Sequence, residues 1–78
     1  MIHIVQHIKR KENDDLQYKI KEQRNLLGMS QVELAERSQV SRTIISGLEN
    51  GNIKVTTTET LLKIAGALEC KVKDIFLE

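Results

Sequence analysis

Few side chains in this 78-residue sequence have the types and spacing that covalent chemistry needs. Cys70 is the single thiol. His3 and His7 stand i, i+4, a spacing that lets two histidines share a metal, but no Cys, Glu or third His stands close by to complete a ligand set. They read as ordinary side chains, and neither a metal nor a cofactor is expected. No Gly-rich phosphate loop is present, and no nucleophile, base and orienting acid fall at a workable spacing, so an enzyme is not expected. What the sequence does offer is hydrogen-bonding readout. Ser41, Arg42 and Thr43 are consecutive, and Ser46 follows one helical turn later. The planar fork of Arg42 matches the O6 and N7 acceptors of guanine, and Thr43 can exchange a hydrogen bond or pack its methyl on thymine. Gly47, further along, has no side chain and lets backbone or DNA approach closely. Ile44 suits either a thymine methyl or the core.

Readout of this kind needs a rigid mount, and the stretch Gln31 to Gly51 supplies one. Gln31, Leu34 and Ala35 fall at helical spacing, with Ser38 on the same face one turn on. The spacing restarts after Val40, with Ile44, Ile45 and Leu48. Between the two lies Gln39-Val40-Ser41, enough for a tight turn. Two short helices so joined cross steeply, as in a helix-turn-helix. Ala35 is small enough for a close crossing, Val40 and Ile45 fill the angle, and Leu48 anchors the second helix. In such motifs the start of the second helix enters the major groove.

Gln31, Ala35, Val40, Ile45, Leu48 and the run Leu48-Glu49-Asn50-Gly51 resemble the DNA-binding domain of Cro/CI-type phage repressors (the XRE family), and the likeness extends from Arg24 to Phe76. It implies an all-α, compact five-helix lambda-repressor-like domain over 14–78, behind an N-terminal extension over 1–13. It further implies that Gln31, Ser41, Asn50, Asn52 and Lys54 hold the DNA backbone, and that Arg24 pairs with Glu49 in a largely buried bridge. Each backbone contact has a plainer reading. Ser41 can be only a cap, Asn50 only a helix terminator, and Lys54 only a solvated charge. The sequence departs from the family at the turn, where Gln39 stands in place of the usual glycine. A left-handed non-glycine there costs roughly 1 kcal/mol.

Composition fits a soluble single domain: 40% hydrophobic, 29% charged, net charge +1. With 3% aromatic residues, a stacking platform for single strands has little to be built from. One cysteine excludes an internal disulfide and suits a reducing cytoplasm. No apolar run reaches the roughly 20 residues of a membrane span, and the first residues do not form a secretory signal. A cytoplasmic location is expected. The basic excess lies before Asn25, and the remainder is mixed. Affinity for DNA should therefore be modest and strongly salt-dependent, with Arg42 and Lys54 carrying much of the charge.

Along the chain, Ile2, Ile4, Val5 and Ile8 suit a short strand or an extra helical turn, and Lys9-Arg10-Lys11 follows. A solvated extension, a dimer-forming element and an arm on DNA all fit. The first helix is expected from Asp14, capped with Gln17, through the apolar face Leu16, Ile20 and Leu27 to Gly28. Ser30 and Glu33 spell a capping box for the second, and Ser41 caps the third, which Asn50-Gly51 ends. A polar loop leads to a fourth helix at about 58–68 and a short fifth from Lys71 or Val72 to Leu77, burying Val72, Ile75 and Phe76. Cys70 reads as a buried core thiol.

Two functions compete, apart from the enzyme already set aside. One is a sequence-specific regulator of double-stranded DNA, a repressor of phage, mobile-element or small bacterial type acting as a homodimer. The dimer contact would come from the last two helices or the N-terminal segment. The other is a protein-interaction module, such as an antitoxin or a coactivator-type protein. Arg42 and Thr43 at an exposed helix start favour DNA. Binding that survives high salt and ignores nucleic acid would favour the protein partner.

Overall fold

The computed structural model describes residues 18–76. These form five helices, α1 (Ile20–Leu26), α2 (Gln31–Ser38), α3 (Arg42–Asn50), α4 (Thr58–Ala67) and α5 (Val72–Ile75). Every helix contributes to one core. Ile20, Leu34, Ile45, Leu48, Ile64 and Ile75 are fully buried, and Tyr18, Met29, Val40, Leu61, Ala65 and Leu68 complete the cluster. Each large aliphatic side chain so buried contributes about 1.5–3 kcal/mol. Helix α2 packs on both α3 and α4, α4 on α5, and α1 on α3. Ala35 lies partly buried against this core, as its small size allows. Among the described residues no helix is long and apolar enough to cross a membrane.

Helix α1 starts later than its periodicity suggests. Tyr18 is extended and bridges Phe76 in antiparallel fashion, and the Lys19 N–H donates to the Ile75 carbonyl at 2.6 Å. Those backbone groups are committed to the far end of the chain, so the first helical residue is Ile20 and no side chain caps it. Asp14, Leu16, Gln17, the N-terminal segment with His3 and His7, and Leu77 lie outside the described residues. Leu27 is exposed rather than buried, and Met29 fills the core in its place. The same bridge shortens α5. The helix ends at Ile75, Phe76 turns extended, and the residue is 42% exposed against the expectation of burial. Leu62, in the apolar stretch of α4, also faces outward.

Helix ends follow local chemistry. Ser30 Oγ accepts the Glu33 N–H at 3.0 Å, but the Glu33 carboxylate turns to Arg37 at 2.7 Å instead of completing a capping box. Thr57 caps α4 by accepting from Thr60. At the end of α1, the Met29 N–H reaches the Arg24 carbonyl and the Gly28 N–H reaches Asn25, a Schellman closure with Gly28 at φ +62°. The end of α4 repeats it. Cys70 bonds Ala65 and Glu69 bonds Gly66, with Glu69 at φ +58° in the glycine position. Cys70 is therefore the counterpart of Met29, half-buried against the core.

Candidate nucleic-acid interface

The tight turn between α2 and α3 sets the presentation of the residues at the start of α3. Gln39 takes the left-handed conformation, φ 63° and ψ 27°, in the place where a glycine would be free of strain. Ser38 Oγ accepts the Val40 N–H at 3.2 Å, and Val40 is driven into the core. Ser41 is extended, and its Oγ accepts the Ile44 N–H at 3.2 Å. Helix α3 therefore begins at Arg42. Its inner side carries Ile45, Gly47 and Leu48, all buried. The outer side carries Arg42, Thr43, Ser46 and Asn50, spaced so that they form one stripe. Ile44 lies at the border, 36% exposed.

The stripe lines an open groove of about 440 Å³ together with Gly47, Asn52 and Ile53. Five of the residues singled out by sequence meet here: Arg42, Thr43, Ser46, Asn50 and Asn52. Arg42 is the charged member of that lining. Lys54 is exposed two residues beyond Asn52, and Ser41 is exposed at the cap. Asn50 has a second task, its Oδ1 accepting the Asn52 N–H at 2.9 Å as Gly51 turns left-handed at φ 88°.

Behind the groove, one carboxylate collects donors from two other helices. Arg24 of α1 gives Nε to Glu49 Oε2 at 2.8 Å and Nη2 to Oε1 at 3.0 Å, while its Nη1 donates to the Met29 carbonyl at 2.8 Å. The fork is bidentate, and side-chain exposures of 11% and 5% keep water from competing. The Glu49 hydrogen bond holds the Arg24 guanidinium charged above its ordinary range, against the opposing effect of burial. Gln31, at the start of α2, donates Nε2 to Glu49 Oε1 at 3.0 Å and accepts Arg42 Nε on its Oε1 at 3.3 Å. That orientation of the amide is the one its neighbours demand, a donor toward the carboxylate and an acceptor toward the guanidinium. Both polar ends of Gln31 thus face protein. Arg42, held through Nε, is also one of the residues that line the groove.

Gly47 lines the groove and also has a role within the chain. A Cβ there would lie 2.5 Å from Ile53 Cδ1, so this chain's own Ile53 makes one close approach. The Ile53 N–H also donates to the Gly47 carbonyl at 2.9 Å. Sequence pattern gives no sign of this pairing across the end of a helix, nor of Tyr18, whose hydroxyl donates to the Lys54 carbonyl at 3.0 Å. The long separation of Tyr18 and Lys54, 36 positions, hides it from any local reading.

Among the described residues no group of three or more His, Cys, Asp or Glu could hold a metal. Burial, aided by the Asp74 carboxylate, pushes the Cys70 thiol up from its ordinary pKa, which suits packing better than nucleophilic attack.

The described residues form an all-helical domain whose third helix offers a polar stripe at a groove, the architecture of a DNA-binding helix-turn-helix protein. A family model for the helix-turn-helix domain matches residues 20–75, from the first residue of α1 to the last of α5. The chain belongs to this family, the XRE helix-turn-helix proteins of Cro/CI type. No curated protein sequence gives a significant match.

Proposed function

We propose that this protein is a sequence-specific regulator of transcription, a repressor of phage, mobile-element or small bacterial type, that reads double-stranded DNA as a homodimer. The observation that carries the reading is the outer stripe of α3, where Arg42 is held by Gln31 and lines the groove. Helix α3 lies in the major groove, with Arg42 and Thr43 on base edges and Ser46 behind them. Ser41, Asn50, Asn52 and Lys54 hold phosphates, which position the domain without specifying sequence. Gln31 acts with them from the start of α2, where free backbone N–H groups favour an anion, and its amide also holds Arg42. Two copies bind half-sites one helical turn apart, about 34 Å. Val55, Leu62 and Phe76 are exposed apolar residues on and beside α4 and α5, where the partner copy would cover them.

Selection from a randomised duplex pool, at low and at physiological salt, tests this. The expected product is a palindrome whose half-site carries a guanine that loses its preference in Arg42→Ala. Weak binding without enrichment, vanishing as salt rises, would defeat sequence-specific reading.

One observation favours a second reading, a protein-interaction module of antitoxin or coactivator type. The α1–α2 junction exposes Leu26, Leu27 and Val32, with Leu26 at 78%. A partner retained at high salt and indifferent to duplex would support it.

A further inference from the structure

The loop that follows α3 holds two of the proposed phosphate-binding residues, Asn52 and Lys54, and a loop can serve that purpose only if its backbone is fixed. Its first part is fixed from α3 itself, by the Asn52 N–H on Asn50 Oδ1 and by Ile53 seated on Gly47. Beyond Ile53, the hold on Lys54 comes from Tyr18, whose phenol hydroxyl donates to the Lys54 carbonyl. Tyr18 is only 5% exposed, and its bond to Lys54 is partly buried. Its own placement is independent of α3. The Tyr18 backbone bridges Phe76, the Lys19 N–H bonds the Ile75 carbonyl, and the two rings meet at 5.7 Å between centroids, tilted by 45°.

We infer that Tyr18 is a positioning residue for DNA binding. It pins the Lys54 carbonyl inward, which directs the Lys54 side chain and the adjoining backbone outward to phosphate. It also ties the DNA-facing loop to the clasp formed by residues 18–19 and 75–76. Opening the clasp would then slacken the loop. The inference rests on the DNA-binding role proposed above.

Tyr18→Phe removes the hydroxyl and leaves the ring against Phe76. Binding to the selected duplex should weaken about three- to tenfold, the effect of one hydrogen bond. The slope of log affinity against log salt should fall by about 0.9, as expected when one phosphate is no longer neutralised. Base preference should not change, because Arg42 and Thr43 are untouched. In a Lys54→Ala background the penalty of Tyr18→Phe should largely disappear. Amide exchange, measured without DNA, should quicken at Ile53 while Ile45 and Leu48 keep their protection. Unchanged slope and exchange in Tyr18→Phe, with normal binding by the unaltered protein, would overturn the positioning role. So would a loss of base preference, or an equal penalty with and without Lys54. Failure of the unaltered protein to bind any duplex would defeat the DNA reading and the phosphate role with it. Quicker exchange at Ile53 in the variant would then still register the clamp itself, which keeps the two failures apart.

Discussion

The two sides of α3 are built on opposite rules. On its inner side Ile45 and Leu48 have no exposure, Gly47 lies under Ile53, and Glu49 accepts three hydrogen bonds from Arg24 and Gln31. On its outer side Thr43 and Ser46 have no side-chain partner among the described residues, and Arg42 is held by a single exposed bond at 3.3 Å. The inner side fixes the axis and rotation of the helix. The outer side keeps its hydrogen-bonding capacity for something else. A reader of base edges needs this division, because misplacing the helix by an ångström would spoil every base contact at once.

Removing Glu49 should break the division most severely. Glu49→Ala leaves the Arg24 charge buried with only the Met29 carbonyl as acceptor. Loss of one partner from such a pair costs about 3–5 kcal/mol, which urea unfolding would show as a large drop in midpoint. An unchanged midpoint would mean that the bridge does not hold α3. Replacing both partners with apolar residues should cost far less, since no charge is then stranded.

Arg42→Ala should do the reverse. Folding should stay within about 0.5 kcal/mol of the original, as for other exposed sites. Discrimination at one base position should fall by about 1–3 kcal/mol. If stability and base preference fell together, the outer side would be structural too, and the contrast between the two sides would vanish.

Which parts of this arrangement are legible in the sequence follows the same division. The spacing of Leu34, Val40, Ile45 and Leu48 locates α2, the turn and α3, because core-facing residues of adjacent helices repeat locally. Ser41 as cap and Gly51 as terminator are legible for the same reason. Periodicity fails where distant segments meet. Leu16 and Ile20 suggest a helix from Asp14, yet Tyr18 and Lys19 bond to Ile75 and Phe76 and hold the start of α1 at Ile20. Phe76 is expected in the core with Val72 and Ile75, but bridging Tyr18 leaves it half outside. In the candidate site, the residue types on α3 are readable and the support behind them is not. Gln31 suggests a phosphate contact from its place at a helix start, and nothing local shows that its amide also lies between Glu49 and Arg42.

Gly47 tests whether the inner side extends to the loop. Adding a methyl in Gly47→Ala gains helix propensity of about 1 kcal/mol but drives into Ile53. Displacing a packed side chain costs about 1–3 kcal/mol, so the net change should be a loss of about 1 kcal/mol. With Ile53→Ala as partner, the added methyl should do less harm, because the clashing Cδ1 and Cγ1 are gone. Strictly additive effects in that double-mutant cycle would show that Ile53 does not rest on α3.

The smallest effect should come from the turn that aims α3. Gln39 is left-handed at φ 63°, a conformation that costs an ordinary residue about 1–2 kcal/mol. Glycine avoids that strain but loses about 0.5–1 kcal/mol of chain entropy on folding. Gln39→Gly should therefore raise stability by about 0.5–1 kcal/mol. Glu69→Gly offers the same exchange at the end of α4, where Glu69 occupies the position that Gly28 takes at the end of α1. The two substitutions should stabilise similarly, and neither should alter base preference, because neither residue lines the groove. If Gln39→Gly stabilised the fold but blurred the preferred half-site, the glutamine would be restricting the angle of α3, and strain in the turn would belong to recognition. If it left both unchanged, local hydrogen bonding by the glutamine side chain would be compensating for the backbone. Equal gains at 39 and 69 with an intact half-site would place the strain wholly on the structural side of the molecule.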